Sequence, residues 1–295
     1  MEGEDLKNYK AIFFDWDGTA VLSRRAPADA AVAAMKPLLR KGIKLVIVSG
    51  TTIENLAQGR LEELFTKEEL SNLYLGLGRG AYDYAFDEDG HAYVFQDEIP
   101  EKEQLLLIHQ ICFEIHQHLL AQYGYETDIV FSRPNYCKID LMVNENRGTN
   151  LFMQASELDL LRETMQAHGI EGGLQSLIDL AVQIGEKHGI RVVPTCDAKY
   201  LEVGISSKSD NVNVILNKLQ TEFGIRAEDC AFWGDEYVGI EPGIFGSDSF
   251  MLTDQTKDGA FFDVSEVPGE RPEKVQNIGG GVEAFLSFLR KEAEK

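Results

Sequence analysis

Cysteine and long apolar runs are both scarce in this sequence, and each shortage excludes a class of protein. Four of the 295 residues are cysteine, and no C-x-x-C pair occurs among them, so neither a zinc ribbon nor a dithiol redox site is indicated. Widely spaced thiols of this kind are typical of the reducing cytosol. No apolar run approaches the roughly 18 residues that a membrane-spanning helix requires. With no secretory signal visible in residues 1–10, we expect a cytoplasmic protein that has no membrane partner.

Basic residues are scarce as well. Lysine and arginine number 28 against 49 aspartate and glutamate residues, which gives a net charge of −21 at pH 7. Such a charge repels phosphate backbones and anionic lipid, so nucleic acid is not expected as a partner. A small anionic substrate is still compatible with it, because local cations, a metal ion and backbone amides can outweigh the global field. The hydrophobic share of 44% is that of an ordinary globular chain and excludes disorder.

Strand and helix patterns alternate at both ends of the chain and change in the middle. The terminal parts have short apolar runs, typical of strands buried on both faces of a parallel sheet, with helical patterns between them. The predicted fold is α/β, with a doubly wound, Rossmann-like parallel-sheet core (residues 1–86 and 205–295) and an inserted α+β cap domain (residues 87–204). The core is predicted to contain strands at 11–14, 43–48, 73–77, 230–233 and 250–253, helices at 28–41, 53–65, 210–223 and 281–291, and a surface loop at 253–280.

Two aspartates follow the first predicted strand, in the segment Asp15-Trp16-Asp17-Gly18-Thr19. Carboxylates two residues apart face the same way if the extended geometry of the strand continues that far. In an open parallel sheet, ligands bind at this end of the strands. A turn or a helix cap would account for one of these residues, but not for four residue types together. The segment is therefore the best candidate for a reactive site.

This segment resembles motif I, DxDGT, of the haloacid-dehalogenase-like superfamily, and its second aspartate is the mark of the phosphotransferases in that superfamily. Three later segments resemble the remaining motifs in order. Ser49-Gly50-Thr51 is similar to motif II, Lys208 to the motif III lysine, and Gly234-Asp235-Glu236 to motif IV. The insert between motifs II and III is similar to the C2-type cap of the Cof-like branch, subfamily IIB, which contains sugar phosphatases and phosphomannomutases.

Motif IV departs from the family pattern. The usual G-D-x-x-N-D would place Val238 and Gly239 at its last two positions, so the second acid must come from elsewhere. Asp248 resembles a displaced second acid after a longer loop. Glu236 and Glu241 are the alternatives.

The resemblance implies roles for the motif residues. Asp15 would attack phosphorus and become an aspartyl phosphate, while Asp17 would protonate the leaving alcohol and later deprotonate water. Lys208 would neutralise the nucleophile and the phosphoryl group, and Ser49 and Gly50 would bind phosphate oxygens.

A Mg²⁺ ion is the implied cofactor, because a carboxylate and a phosphate dianion repel each other. The expected metal ligands are Asp15, Asp17 (through its backbone carbonyl), Asp235 and Asp248.

The cap is expected to choose the substrate, and Arg133 and Arg147 are its candidate substrate-binding residues. Residues 138–147 resemble the phosphomannomutase segment that holds a second phosphate, although exposed cations at strand ends explain these residues more simply. The predicted function is a Mg²⁺-dependent phosphohydrolase acting on a small phosphorylated metabolite such as a sugar phosphate. The alternatives are a phosphomutase and a non-catalytic phosphate-binding protein, which the incomplete motif IV would suit.

Overall fold

A computed structural model describes residues 8–144 and 155–295, and those ranges contain fourteen strands and seven α-helices. The strands are β1 (Ala11–Phe14), β2 (Lys44–Val48), β3 (Leu73–Leu77), β4 (Tyr82–Phe86), β5 (Ala92–Asp97), β6 (Asp128–Val130), β7 (Tyr136–Asp140), β8 (Thr195–Cys196), β9 (Tyr200–Gly204), β10 (Cys230–Gly234), β11 (Gly239–Glu241), β12 (Ile244–Phe245), β13 (Ala260–Asp263) and β14 (Val275–Asn277). The helices are α1 (Asp29–Arg40), α2 (Lys67–Leu70), α3 (Lys102–Tyr123), α4 (Ala155–Ala167), α5 (Gly173–Lys187), α6 (Lys208–Phe223) and α7 (Gly281–Glu294).

The main sheet has eight strands in the order β14-β13-β10-β1-β2-β3-β4-β5. The six strands from β14 to β3 are parallel, and β4 and β5 are antiparallel. Successive residues of the central strand β1 face opposite sides: Ile12 packs in the apolar cluster of α1 and α7, and Phe13 in that of α6. A strand covered on both faces needs apolar residues throughout, which explains its continuous run. The predicted doubly wound α/β core is confirmed.

The cap is inserted between β5 and α6 and contains a four-stranded antiparallel sheet in the order β6-β7-β9-β8. Helices α3 and α5 pack on one face of this sheet, and α4 packs against α5. Alternate residues of the strands divide between the two faces, as the period of a strand requires. Cys137 and Ile139 of β7 are buried under the helices, whereas Tyr136 and Lys138 line a cavity on the other face. The cap is thus an α+β unit, as predicted.

Several predicted boundaries differ from the structure. The predicted start of the cap at residue 87 falls inside the β4–β5 hairpin, and β5 pairs with β4 in the main sheet, so the inserted part begins after Asp97. The helix predicted at 53–65 is a pair of short 3₁₀ turns, because Ala57 and Gln58 adopt positive φ angles. The strand predicted at 250–253 is wrong, since residues 247–251 form a 3₁₀ turn.

The loop predicted at 253–280 contains the two strands β13 and β14, which extend the parallel sheet beyond β10. They have only four and three residues, too few for a periodic signal, and they are stabilised by pairing, β13 with β10 and β14 with β13. In the part of the chain that the structure describes, no helix combines the length and the apolar character needed to cross a membrane.

Candidate active site

The predicted motif residues lie together at the carboxyl edge of the main sheet. Asp15 follows β1, Ser49 follows β2 and Asp235 follows β10, while Lys208 is the first residue of α6. All four line a cavity of about 480 Å³, which has the sheet edge on one side and the cap sheet on the other. Parallel strands end at the same edge of a sheet, and this explains why residues more than 200 positions apart meet here.

Lys208 connects two carboxylates at the centre of this site. Its Nζ lies 2.7 Å from Asp15 Oδ1 and 2.7 Å from Asp248 Oδ1, and all three residues are buried. The helix start that holds the lysine is well defined. Ser207 and Asp210 form a reciprocal capping box there, which fixes the first turn of α6 and therefore the direction of Lys208.

Asp248, the favoured candidate for the second acid of motif IV, lies beside Lys208, Asp15 and Asp235. Its Oδ2 accepts the backbone N–H groups of Asp235 at 2.9 Å and Glu236 at 2.8 Å. Gly234 is required for this approach, because a Cβ at that position would lie 2.3 Å from the same oxygen. Glu236 instead accepts a hydrogen bond from Ser247, and Glu241 extends to the cap. Of the three candidates, the structure brings Asp248 into the cluster.

Asp15, Asp235 and Asp248 each present a carboxylate oxygen within 4.8 Å of the other two. Loss of solvent raises the pKa of Asp15 and of Asp235, and the neighbouring carboxylates raise both further, while Lys208 counteracts this rise at Asp15. With all three ionised, one lysine leaves the group a net charge of −2. Hard oxygen ligands around an uncompensated negative charge suit a divalent cation such as Mg²⁺.

Asp17 has a different environment. Its carboxylate pairs with Arg24 at 3.2 Å, while its Oδ1 is buried with no hydrogen-bond partner among the described residues. Burial raises the pKa of Asp17, and Arg24 opposes that rise. The carboxylate is not part of the three-acid group, and the resemblance assigned only its backbone carbonyl to the metal. Sequence reasoning missed Arg24, which no motif marks.

Motif I depends on a glycine with a positive φ. Gly18 has a φ of +92°, and a Cβ there would lie 2.2 Å from Asp235 Oδ2. The adjacent Thr19 donates its hydroxyl to Asp235 Oδ1 at 3.0 Å. The D-G-T part of the motif therefore brings the backbone after β1 against the acid that follows β10.

The motif II residues line the same cavity. Ser49 is buried, and its Oγ accepts the N–H of Thr51 at 3.4 Å. Thr51 Oγ1 is buried and has no hydrogen-bond partner in the described part of the chain. Ser49, Gly50 and Thr51 thus line the cavity that Asp15 also lines.

The cap wall of the cavity has a buried ion cluster. Glu202 lies 2.5 Å from Lys138 and 3.2 Å from Arg79. Burial alone would raise the pKa of Glu202, but Lys138 and Arg79 lower it to about 2. Arg79, a core residue with a φ of +58°, also donates to the carbonyls of Val193 and Ser206. Neither Arg79 nor Glu202 was a predicted site residue. An arginine between two glycines directly after a buried strand is, however, a pattern that could have marked Arg79 as a candidate.

Of the two predicted cap residues, Arg133 lines the cavity, and its Nε is buried without a hydrogen-bond partner among the residues described. Arg147 lies outside the described residues.

Known proteins resemble this chain in sequence and in fold. The family model for haloacid dehalogenase-like hydrolases matches residues 12–241. A Mycoplasma genitalium protein provisionally named phosphatase MG265 is 30% identical over 169 residues, which are 55% of this chain and 57% of that protein. This match therefore spans little more than half of the relative's length.

Two solved structures share the fold. The N-terminally truncated, IMP-bound IMP-nucleotidase of Plasmodium falciparum has a TM-score of 0.61 at 13% identity, over 98% of this chain and 69% of that one. The sucrose-phosphatase of Synechocystis sp. PCC6803, solved with sucrose and phosphate, has a TM-score of 0.53 at 12% identity, over 97% and 98%. The family match extends over more than half of the chain, from β1 to β11, so this protein belongs to the haloacid dehalogenase-like hydrolase family.

Proposed function

We propose that this protein is a Mg²⁺-dependent phosphohydrolase that acts on a small phosphorylated metabolite through an aspartyl-phosphate intermediate. The observation that carries the proposal is the buried contact of Asp15 with Lys208, beside Asp235 and Asp248, in a cavity large enough for a metabolite. The family match and the fold of the two phosphate-ester hydrolases support it.

In the proposed first step, the Asp15 carboxylate forms a bond to phosphorus while the bond from phosphorus to the leaving oxygen breaks. Two anions about 4 Å apart repel by roughly 1 kcal/mol in water and about 4 kcal/mol in a protein cleft. The Lys208 ammonium, 2.7 Å from Asp15, reduces this repulsion. Asp17 donates its proton to the leaving oxygen, and burial favours the protonated acid because it raises the pKa of Asp17.

In the second step, water attacks phosphorus and the bond from phosphorus to Asp15 breaks, which releases inorganic phosphate. Asp17, now ionised, takes the proton of that water. Ser49 and Gly50, which line the cavity, would donate hydrogen bonds to the phosphoryl oxygens through the Ser49 hydroxyl and the Gly50 N–H.

The three-acid group and the carbonyl of Asp17 would hold the Mg²⁺ ion. These ligands fit Mg²⁺, since all of their donor atoms are oxygen and the group carries an excess negative charge. When bound, the ion supplies positive charge that offsets both the carboxylates and the phosphate oxygens.

The cap wall would bind the leaving group. Arg133 brings a guanidinium group to this wall, and Tyr136 and Tyr200 add aromatic surface. A cavity of about 480 Å³ is within the size range of metabolite sites. These features support a polar leaving group that carries a ring, such as a sugar or a nucleoside.

A cytoplasmic location is part of the proposal, and the absence of any disulfide among the four buried cysteines, all in the described ranges, supports it.

An aryl phosphate assay with and without Mg²⁺ tests the proposal, followed by a screen of phosphorylated metabolites. We expect steady release of inorganic phosphate that stops when EDTA removes the metal. Turnover that requires a sugar bisphosphate activator and releases no phosphate would indicate the phosphomutase instead. Binding of phosphate esters without any turnover would indicate the non-catalytic protein.

A further inference from the structure

The two motif IV acids are separated by a hairpin that leaves the core and enters the cap. We call residues 237–247, which contain β11 and β12, the motif IV hairpin. Its two ends meet, since the N–H of Asp248 donates to the carbonyl of Glu236 at 3.2 Å, and the N–H of Gly246 donates to that of Val238 at 3.0 Å. Asp248 therefore directly follows a closed structural unit.

The apolar side chains of this hairpin belong to the interior of the cap. Val238, Ile240 and Ile244 are buried in the same apolar cluster as residues of α3, α4 and α5. On the opposite side, the hairpin contacts the core, where the N–H of Gly239 donates to the carbonyl of Glu270 at 2.8 Å. The hairpin thus contacts both the cap and the core.

Glu241 at the end of β11 makes the polar contact with the cap. Both of its carboxylate oxygens lie 3.0 Å from the N–H of Leu174 in the first turn of α5. That helix has no side-chain cap of its own, because Gly172 is its N-cap residue. Glu241 therefore supplies both the missing acceptor and a negative charge at the positive end of the helix. Gly173 leaves room for it, since a Cβ there would lie 2.5 Å from the carboxylate.

Helix α4 contributes a second contact. Arg162 donates through Nη2 to the carbonyl of Ile240, at the centre of the same strand. Two cap helices therefore hold the hairpin from which Asp248 emerges.

We propose that Glu241 is a positioning residue, which ties the acid Asp248 to the cap through the motif IV hairpin. A displacement of the cap then also displaces Asp248, and with it the ligand set of the metal. By linkage, a ligand that seats the cap tightens metal binding, and bound metal stabilises the seated cap to the same extent. The inference rests on the proposed function in one respect, because it takes Asp248 as a metal ligand.

The test compares Glu241→Ala with Ser176→Ala. The Ser176 hydroxyl donates to the Gly173 carbonyl at the same helix start without touching the hairpin, so its loss is the matched control. In Glu241→Ala we expect Mg²⁺ binding, measured by titration calorimetry, to weaken about fivefold or more. Glu241→Gln keeps one acceptor oxygen and should recover part of the loss, whereas Ser176→Ala should bind Mg²⁺ like the wild type.

Hydrogen exchange provides a readout that needs no metal. In Glu241→Ala, amides of residues 237–248 should lose protection together with the first turn of α5. If Glu241→Ala does not fold, Arg162→Met removes the bond to Ile240 together with an exposed ion pair to Asp159 within α4, and it should weaken Mg²⁺ binding about twofold to threefold.

Unchanged Mg²⁺ affinity in Glu241→Ala, together with a lower melting temperature, would overturn the proposal, because Glu241 would then stabilise the cap helix alone. A wild type that binds no Mg²⁺ would contradict the proposed function. Hydrogen exchange alone would then test whether Glu241 ties the motif IV hairpin to the cap. Unchanged protection of residues 237–248 in Glu241→Ala would refute this.

Discussion

The two walls of the cavity carry opposite charge. The core wall presents Asp15, Asp17 and Asp235 with Glu236, and Lys208 lies among them. The cap wall presents Lys138, Lys199 and Arg133, with Asp197 and Glu202. A net charge of −21 for the whole chain therefore does not describe the surface that a substrate would meet. The reactive phosphoryl group and the leaving group would each face a wall of different sign.

Two buried carboxylates show how the walls differ. Asp15 shares one lysine with Asp248, and burial raises its pKa. Glu202 has two cations to itself, and its pKa is lowered to about 2 in spite of burial. The cap acid is thus neutralised within the protein, whereas the core acids Asp15 and Asp248 share a single lysine. Substitutions in the core wall should therefore affect turnover and metal binding, whereas substitutions in the cap wall should affect stability and the choice of substrate.

The largest effect is expected from Asp15→Asn in the core wall. The amide cannot attack phosphorus, so kcat should fall by roughly a thousandfold or more, while the fold is retained because a buried charge is removed. Phosphate release and thermal unfolding measure the two quantities. Asp254→Asn, at a fully exposed carboxylate, is the control and should behave like the wild type. Mg²⁺-dependent turnover that survives in Asp15→Asn would show the mechanism to be wrong.

The next largest effect concerns the pH dependence of the cap wall. The folded pKa of Glu202, about 2, lies below its ordinary value of 4.5, so its stabilisation is present above that value and lost as the pH falls towards 2. Glu202→Gln should reduce the free energy of unfolding by about 3 kcal/mol at pH 7 and progressively less below pH 4.5. Denaturant titrations at several pH values measure this difference. An equally large loss at pH 3, or the same loss in the exposed-pair variant Glu283→Gln, would argue against the ion cluster as the cause.

Metal addition should act on the core wall alone. Mg²⁺ at a hundred times its dissociation constant should stabilise the wild type by about 2.7 kcal/mol, seen as a higher melting temperature. Asp248→Asn should reduce this increase, because it removes one of the three carboxylates, whereas Glu202→Gln should keep it. Equal stabilisation of Asp248→Asn and the wild type would place the ion elsewhere.

The smallest effect is expected from Arg133→Met in the cap wall. It should lower kcat/KM about tenfold for a metabolite with a polar leaving group, since a charged hydrogen bond is lost. Phenyl phosphate, whose ring offers no hydrogen-bond acceptor to Arg133, should be hydrolysed at the wild-type rate. Arg191→Met, at an exposed cap arginine that does not line the cavity, is the control. If Arg133→Met lowered kcat/KM equally for both substrates, Arg133 would not act through the leaving group, and the proposed role of the cap wall would be wrong.

The core wall could be predicted from the sequence and the cap wall largely could not. Asp15, Ser49 and Asp235 each follow a buried strand, and parallel strands bring their ends together whatever else the chain does. Arg79 and Glu202 meet only because the cap is seated on the core in one orientation, which no local pattern encodes. Asp248 is an intermediate case, since it was predicted with Glu236 and Glu241 as alternatives, and only the coordinates bring it beside Lys208 and Asp15.

The same distinction applies to secondary structure. β1 and β2 were predicted because all their residues except Lys44, the first of β2, are apolar, as in strands that are buried on both faces. β13 and β14 were missed because their stability comes from neighbouring strands rather than from their own composition.

The closed ends of the motif IV hairpin have a consequence for comparing sequences. Because residues 236 and 248 are hydrogen-bonded to each other and residues 242–243 form the exposed tip of the hairpin, the chain can lengthen at that tip while the paired ends and their contacts with the cap are kept. Longer surface insertions cost little in chain entropy, so related proteins are free to differ here. A search for the final acid of this motif should therefore allow a gap of variable size, and should weigh a glycine before the first acid above any fixed count of intervening positions.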